Sequence, residues 1–209
     1  MTPAGRFIAF EGGEGAGKST QARLLIEALE ARGMACVLTR EPGGTPGAEA
    51  IRELLLHPPG EGWDAEAEAL LFAAARADHV ARLIRPALAE GKWVISDRFL
   101  DSSRAYQGAA GALGDETVRA LHAIGSGGLL PDITIVIAAA EDHVAERLRA
   151  RDGDQADAIG GRDAAYHARV NAAFRDFAGQ EPARFALIDG IGSVADVHQR
   201  VMAAVAPLC

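Results

Sequence analysis

Phe7-Ile8-Ala9-Phe10-Glu11-Gly12-Gly13-Glu14-Gly15-Ala16-Gly17-Lys18-Ser19 runs from an apolar segment of strand length straight into the pattern G-x-x-x-x-G-K-[ST]. The next stretch, Lys18 to Ala31, has the apolar spacing of an amphipathic helix. Strand, glycine loop and helix in that order build a phosphate cradle. Glycines let the backbone curl so that several N–H groups face phosphate oxygens, and the helix N-terminus adds a favourable dipole. Lys18 is placed to reach the β- and γ-phosphates, and the Ser19 hydroxyl to ligate Mg²⁺. A flexible turn with a solvated lysine would match the bare pattern, but without the strand before it and the helix after it. Lysine is also scarce: of the 21 basic residues only Lys18 and Lys92 are lysines. The stretch predicts a nucleoside triphosphate site.

Working outward, apolar runs alternate with helix-length segments to the end of the chain. Phe7–Phe10, Cys36–Thr39, Trp93–Ser96, Ile133–Ile137 and Phe185–Ile188 read as strands. Lys18–Ala31, Ala48–Leu56, Ala65–Glu90, Glu116–Ile124, Asp142–Arg151 and Val194–Val205 read as helices between and after them. That alternation predicts an α/β fold, with five parallel strands in one sheet and helices on both of its faces. The 209 residues suit a single domain over 1–209, with no repeat and no dividing linker. The polar, glycine-rich segment from Asp152 to Gly161 is either a surface connection or a lid.

Composition removes other classes. Hydrophobic residues at 49% and charged ones at 24% are ordinary for a globular chain and exclude a disordered or fibrous one. A formal charge of −8 argues against a nucleic-acid binder. No apolar run approaches the ~20 residues of a membrane span. Met1 to Arg6 carries no signal-peptide h-region, and the two cysteines, Cys36 and Cys209, give neither a disulfide framework nor metal spacing. The expectation is a cytoplasmic protein with no membrane partner.

Further motifs narrow the chemistry. A GTPase needs an Asn-Lys-x-Asp base reader, and the single asparagine, Asn171, stands in no such motif. Asp97-Arg98-Phe99 follows an apolar strand, and the C-terminal ends of parallel strands are where ligands bind. There Asp97 can hold Mg²⁺ waters and Arg98 can clamp a phosphate; a helix cap with a surface arginine gives the same pattern. Phe72 and Arg76, four apart, share a helix face and can stack on a base and bond its edge, though Phe72 also sits among residues of core type. Tyr106-Gln107-Gly108 reads as a nucleoside contact or as a helix end with a glycine cap. Arg147, Arg149, Arg151 and Arg162 flank the glycine-rich segment, where a lid would carry positive charge to a transferring phosphoryl group. The six histidines, at 57, 79, 122, 143, 167 and 198, form no ligand pair and read as surface or structural.

Together, Gly12 to Ser19, Thr39-Arg-Glu-Pro-Gly-Gly-Thr45, Leu70-Leu-Phe-Ala-Ala-Ala-Arg76, Asp97-Arg98-Phe99 and Ser102-Ser-Arg-Ala-Tyr-Gln-Gly108 resemble the bacterial thymidylate kinase family. The likeness runs from Phe7 to about Phe174. It implies a P-loop nucleoside monophosphate kinase fold with a short lid at about 149–162, working as a homodimer. It also implies transfer of the γ-phosphoryl of MgATP to dTMP, giving dTDP. Gly12, Gly13, Glu14, Gly15, Ala16, Gly17, Lys18, Ser19 and Thr20 would hold ATP, and Ser19 and Asp97 the Mg²⁺. Phe72 would stack on thymine, Arg76 bond the base, Arg98 hold the dTMP phosphate and Glu14 accept from the 3′-hydroxyl. Tyr106, Gln107, Ser102 and Ser103 would border the nucleoside, and Arg40, Glu41 and Pro42 would help close its pocket. With Gly15 where some members place a P-loop arginine, the lid arginines Arg149, Arg151 and Arg162 would supply that charge, and the catalytic set would be these with Lys18, Arg98 and Asp97. Two places depart from the family: Gly161-Arg162-Asp163 stands where an Asp-Arg-aromatic or aliphatic-Glu run is usual, and Ala138 stands where aspartate is common.

Two rival readings stand beside this one. One is a small P-loop kinase for another nucleotide or metabolite. The other is a nucleotide-dependent switch or assembly ATPase, which would hydrolyse slowly without an acceptor and leave Phe72, Arg76, Tyr106 and Gln107 without a task.

Overall fold

A computed structural model describes residues 5–138 and 157–209. Each predicted strand is present and runs one residue further: β1 Phe7–Glu11, β2 Cys36–Arg40, β3 Trp93–Asp97, β4 Ile133–Ala138 and β5 Phe185–Asp189. In four of the five the added residue is charged. It stands at the strand's C-terminal end, where side chains leave the packed layers.

The strands form one parallel sheet in the order β2-β3-β1-β4-β5. β1 lies in the middle, with Phe10 opposite Asp97 of β3 and Ile135 of β4. From β1 the chain goes to the edge strand β2, returns to β3 beside β1, and then crosses to β4 and β5 on the other side. The loop after β1 therefore opens at the reversal of strand order, the crevice that ligands occupy in such sheets.

Alternate side chains of β1 feed opposite layers. Ile8 and Phe10 pack with Trp93, Ile95, Ile135 and Ile137 against α1 (Lys18–Glu30) and α8 (Val194–Val205). Phe7 and Ala9 pack with Val94 against Val80, Ile84 and Ala87, and against Val118 of α6 (Asp115–Ser126). A further cluster joins Val136 and Phe185 to Tyr166, Val170, Phe174 and Phe177 of α7 (Ala164–Gln180).

The pattern from Ala65 to Glu90 is not one helix. It divides into α3 (Ala65–His79), a π-helical turn at Val80–Ile84, and α4 (Arg85–Ala89). Pro86 cannot donate to the carbonyl four residues before it, so α-register fails in its approach. The helix expected over Asp142–Arg151 lies outside the described residues. Two elements complete the frame around the crevice. α2 (Pro46–Leu56) is capped by Thr45, which accepts from the Ala48 N–H, and the short α5 (Leu100–Ser103) leads into a π-helical segment, Arg104–Ala110. No described helix is long and apolar enough to cross a membrane.

Candidate active site

The loop after β1 is shaped by its glycines. Gly12 has φ +130°, and a Cβ there would fall 2.6 Å from the Ile137 carbonyl oxygen, so no larger residue fits. Gly17 caps α1 in the left-handed region, with no side-chain cap and no acidic residue in the first turn. The helix N-terminus is thus left for an anion. Lys18 is buried, and its Nζ donates to the carbonyls of Gly13 (2.7 Å) and Gly12 (3.2 Å). Burial first, and then the positive charge of Arg98, lower its pKa to about 8. An arriving phosphate supplies the counter-charge that this ammonium group is short of.

The Ser19 hydroxyl donates to the Asp97 carboxylate at the end of β3. A hydroxyl and a carboxylate meeting across the loop are the two protein oxygens that Mg²⁺ takes when phosphates and waters complete its shell. No group of three or more His, Cys, Asp or Glu suited to a metal occurs among the described residues. The Ser19 hydroxyl and the Asp97 carboxylate fit Mg²⁺ carried in with a nucleotide.

Across the cleft, α3 presents Phe72, which packs on the cluster containing Tyr106, and Arg76, which is only 3% exposed. Arg76 Nε donates to Glu41 (2.7 Å), and Nη2 donates to the Ser103 hydroxyl (2.7 Å) and the Phe99 carbonyl (3.4 Å). Glu41 also receives His79 Nδ1 at 2.9 Å, while His79 Nε2 meets the Thr39 hydroxyl at 2.7 Å. The histidine read as surface or structural is thus wholly buried, locking β2 to α3. The Glu41–Pro42 peptide is cis, and Arg52 donates to the Pro42 carbonyl at 2.8 Å. Arg40, by contrast, is exposed and pairs with Glu49 at 3.1 Å.

Arg98 occupies the left-handed region at φ +72°. Its guanidinium pairs with Glu14, bonds Ser102 Oγ (3.0 Å) and the Gly12 carbonyl (3.3 Å), and lies 5.1 Å from the centre of the Tyr106 ring. Burial works against its charge, but Tyr106, Glu14, Asp97 and Glu11 hold its pKa above the ordinary guanidinium value. Tyr106 and Gln107 lie inside the π-helical segment rather than at a capped helix end, so the glycine-cap alternative for this motif does not hold. Such segments recur where side chains are aimed at ligands. Gln107 Nε2 donates to Glu68 at 2.9 Å.

All of these side chains except Glu11, Glu68 and His79 line one cleft of about 880 Å³, open to solvent, together with Gly15, Ala16, Gly17 and Thr20 of the loop. Gly12 and Gly13 lie behind it, along β4 and α7. Arg162 is not part of this wall. It pairs with Glu68 and donates to the Tyr166 hydroxyl, while Asp157 and Ile159 of the same segment reach the cleft. Arg149 and Arg151 lie outside the described residues.

Five residues of this neighbourhood were not marked by sequence: Glu11, Glu49, Arg52, Glu68 and His79. Glu11 alone carried a signal, a carboxylate ending an otherwise apolar strand. Glu68 and His79 act through partners 38 or more positions away, whereas Glu49 and Arg52 meet Arg40, Pro42 and Gly44 within ten.

A P-loop facing a buried arginine and an aromatic wall across one cleft, at the C-terminal edge of a 2-3-1-4-5 parallel sheet, is the architecture of a nucleoside monophosphate kinase. The family model for thymidylate kinase matches residues 10–201. A thymidylate kinase of Rhizorhabdus wittichii is 56% identical over 204 residues, covering 98% of each chain. One of Rhodopseudomonas palustris is 49% identical over 203 residues, 96% of this chain and 88% of that one. The crystal structure of thymidylate kinase from Ehrlichia chaffeensis superposes with a TM-score of 0.79 at 33% identity, covering 97% of this chain and all of that one. The chain belongs to the thymidylate kinase family.

Proposed function

We propose that this protein transfers the γ-phosphoryl group of ATP to dTMP, giving dTDP. The observation that carries this reading is the cleft itself. Lys18, Ser19 and Asp97 face Arg98, Phe72, Arg76 and Tyr106 across one space large enough for two nucleotides. A switch or assembly ATPase has no use for the second set.

The acceptor is already an anionic oxygen and needs no strong general base, so catalysis reduces to positioning and charge stabilisation. The P-loop backbone and Lys18 hold the β- and γ-phosphates. Ser19 and Asp97 would hold Mg²⁺, which when bound would offset the negative charge of the phosphates. Phe72 stacks on the base, and Arg76, braced by Glu41 and Ser103, bonds its edge. Arg98 leaves Glu14 for the acceptor phosphate, and the released Glu14 carboxylate accepts from the 3′-hydroxyl. Lid arginines, Arg149, Arg151 or Arg162, neutralise the moving phosphoryl group. For Arg162 this requires release from Glu68.

A homodimer fits the surface of α3 and α6. The two helices touch where Gly125 approaches Ala73 and Ala77, and they leave Leu70 56% and Ile124 85% exposed. The cytoplasm, which holds both nucleotides, is the proposed location.

The test is ADP release measured with dTMP, dUMP, dCMP, AMP and GMP in turn. Preference for dTMP supports the assignment. Equal or better use of another acceptor transfers it to a different nucleotide kinase, and hydrolysis indifferent to all five supports the ATPase.

A further inference from the structure

Glu11 ends β1 with no solvent exposure, directly before the phosphate loop, yet nothing in the phosphate chemistry above uses it. A carboxylate so placed is costly unless its oxygens are bonded. They are, and every bond goes to one turn. Oε1 accepts from the Phe99 N–H (2.8 Å) and the Ser102 N–H (3.0 Å), and Oε2 accepts from the Ser102 hydroxyl (2.6 Å).

That turn begins at Arg98, whose left-handed backbone is rare for a residue with a long side chain and has to be held from outside. Its own peptide groups are fixed on the near side. Arg98 N–H donates to the Phe10 carbonyl at 2.8 Å, and its carbonyl accepts from Ser96 Oγ at 2.6 Å. Glu11 fixes the far side. Ser102 then extends the hold to the side chain, because the Oγ that donates to Glu11 also accepts from Arg98 Nη1 at 3.0 Å. The far side of the Arg98 turn and one hold on its guanidinium thus trace back to a single buried carboxylate on the neighbouring strand.

We propose that Glu11 is the positioning residue for Arg98, holding the Phe99–Ser102 turn so that the guanidinium meets the acceptor's phosphate. This rests on the reading of Arg98 as the acceptor-phosphate residue. Glu11 lies outside the cleft lining and its hydrogen bonds all go to the acceptor side, although its chain neighbour Gly12 begins the loop for the donor.

The experiment compares wild type, Glu11→Gln and Glu11→Ala by the KM for dTMP and kcat at saturating ATP, by the Kd of a non-hydrolysable ATP analogue, and by melting temperature. Gln keeps an acceptor for the two N–H groups and a partner for Ser102, so its KM for dTMP should stay near wild type. Ala leaves three donors unpaired in the protein interior, and the KM for dTMP should rise by about 5- to 150-fold, as one to three lost buried bonds would produce. The Kd of the ATP analogue should remain within about twofold of wild type, a change smaller than one hydrogen bond. A purely structural role would lower the melting temperature and weaken both nucleotides alike, and that result overturns the proposal. So does an unchanged KM in the alanine variant, or a glutamine variant as impaired as alanine. Should Glu11→Ala fail to fold, Glu11→Asp, which draws the carboxylate back by one methylene, carries the same expectation and the same failures. Wild type that releases no ADP in response to dTMP would instead sink the functional reading before any variant is compared.

Discussion

Lys18 shows how one residue carries the donor half of the site. It is buried against carbonyls of its own loop, with its pKa held down to about 8 by burial and by Arg98. Its charge is poorly compensated until phosphate arrives, so it favours the bound and transferring states over the empty one. Lys18→Ala should cut kcat by roughly 10²–10³, the usual cost of losing one such charge-stabilising donor, with the circular dichroism spectrum unchanged. A near-normal kcat in that variant rules out the assignment. On the acceptor side, Phe72→Ala should raise the KM for dTMP by about 5- to 150-fold, because stacking on a base is worth ~1–3 kcal/mol, while the KM for ATP stays put. Parallel changes in both KM values would place the ring in the core rather than against the base. The P-loop lysine was legible in the sequence because pattern and context coincide within a few residues. The roles of Arg52 and Glu68 were not, because each depends on a partner brought near only by folding.

Among the elements, α3 and β2 are coupled by the buried set Thr39, Glu41, Arg76 and His79. Burial alone would raise the Glu41 pKa, but the charge of Arg76 and the bonds from His79 bring it below the ordinary 4.5. A carboxyl lowered in the folded state lends stability that is whole above its unfolded pKa and is lost as pH falls through the folded one. The acid limb of the stability curve, below about pH 4.5, should therefore flatten in Glu41→Gln when urea unfolding is followed between pH 3 and 6. The same variant should lose roughly 3–5 kcal/mol at neutral pH, since Arg76 is left buried without its partner. An acid limb as steep as that of wild type would exclude Glu41 as its source. Apolar periodicity located both elements but not their coupling. It also read Ala65 to Glu90 as one helix, because a π-helical turn disturbs the backbone register without interrupting the apolar spacing.

Over the whole molecule, the sheet order decides that the side chains of the cleft gather at the C-terminal ends of β1 and β3. A net charge of −8 sits uneasily with two anionic substrates until Lys18, Arg52, Arg76 and Arg98 are seen around a single cleft. If α3 and α6 form the dimer surface, Ile124→Glu should shift sedimentation from dimer to monomer while the melting temperature at low concentration changes little, because Ile124 is 85% exposed within the monomer. Wild type that sediments as a monomer would remove the dimer. The sequence by itself determined the parallel α/β class, the five strands and the triphosphate loop, since each rests on periodicity or on neighbours close in the chain. The tertiary structure alone decided that Arg76 is braced by Glu41 and Ser103, that Arg162 rests on Glu68, and that Glu11 holds the turn bearing Arg98. Those contacts join residues 27 to 94 positions apart, and only the crossovers of the sheet bring such partners within hydrogen-bonding reach.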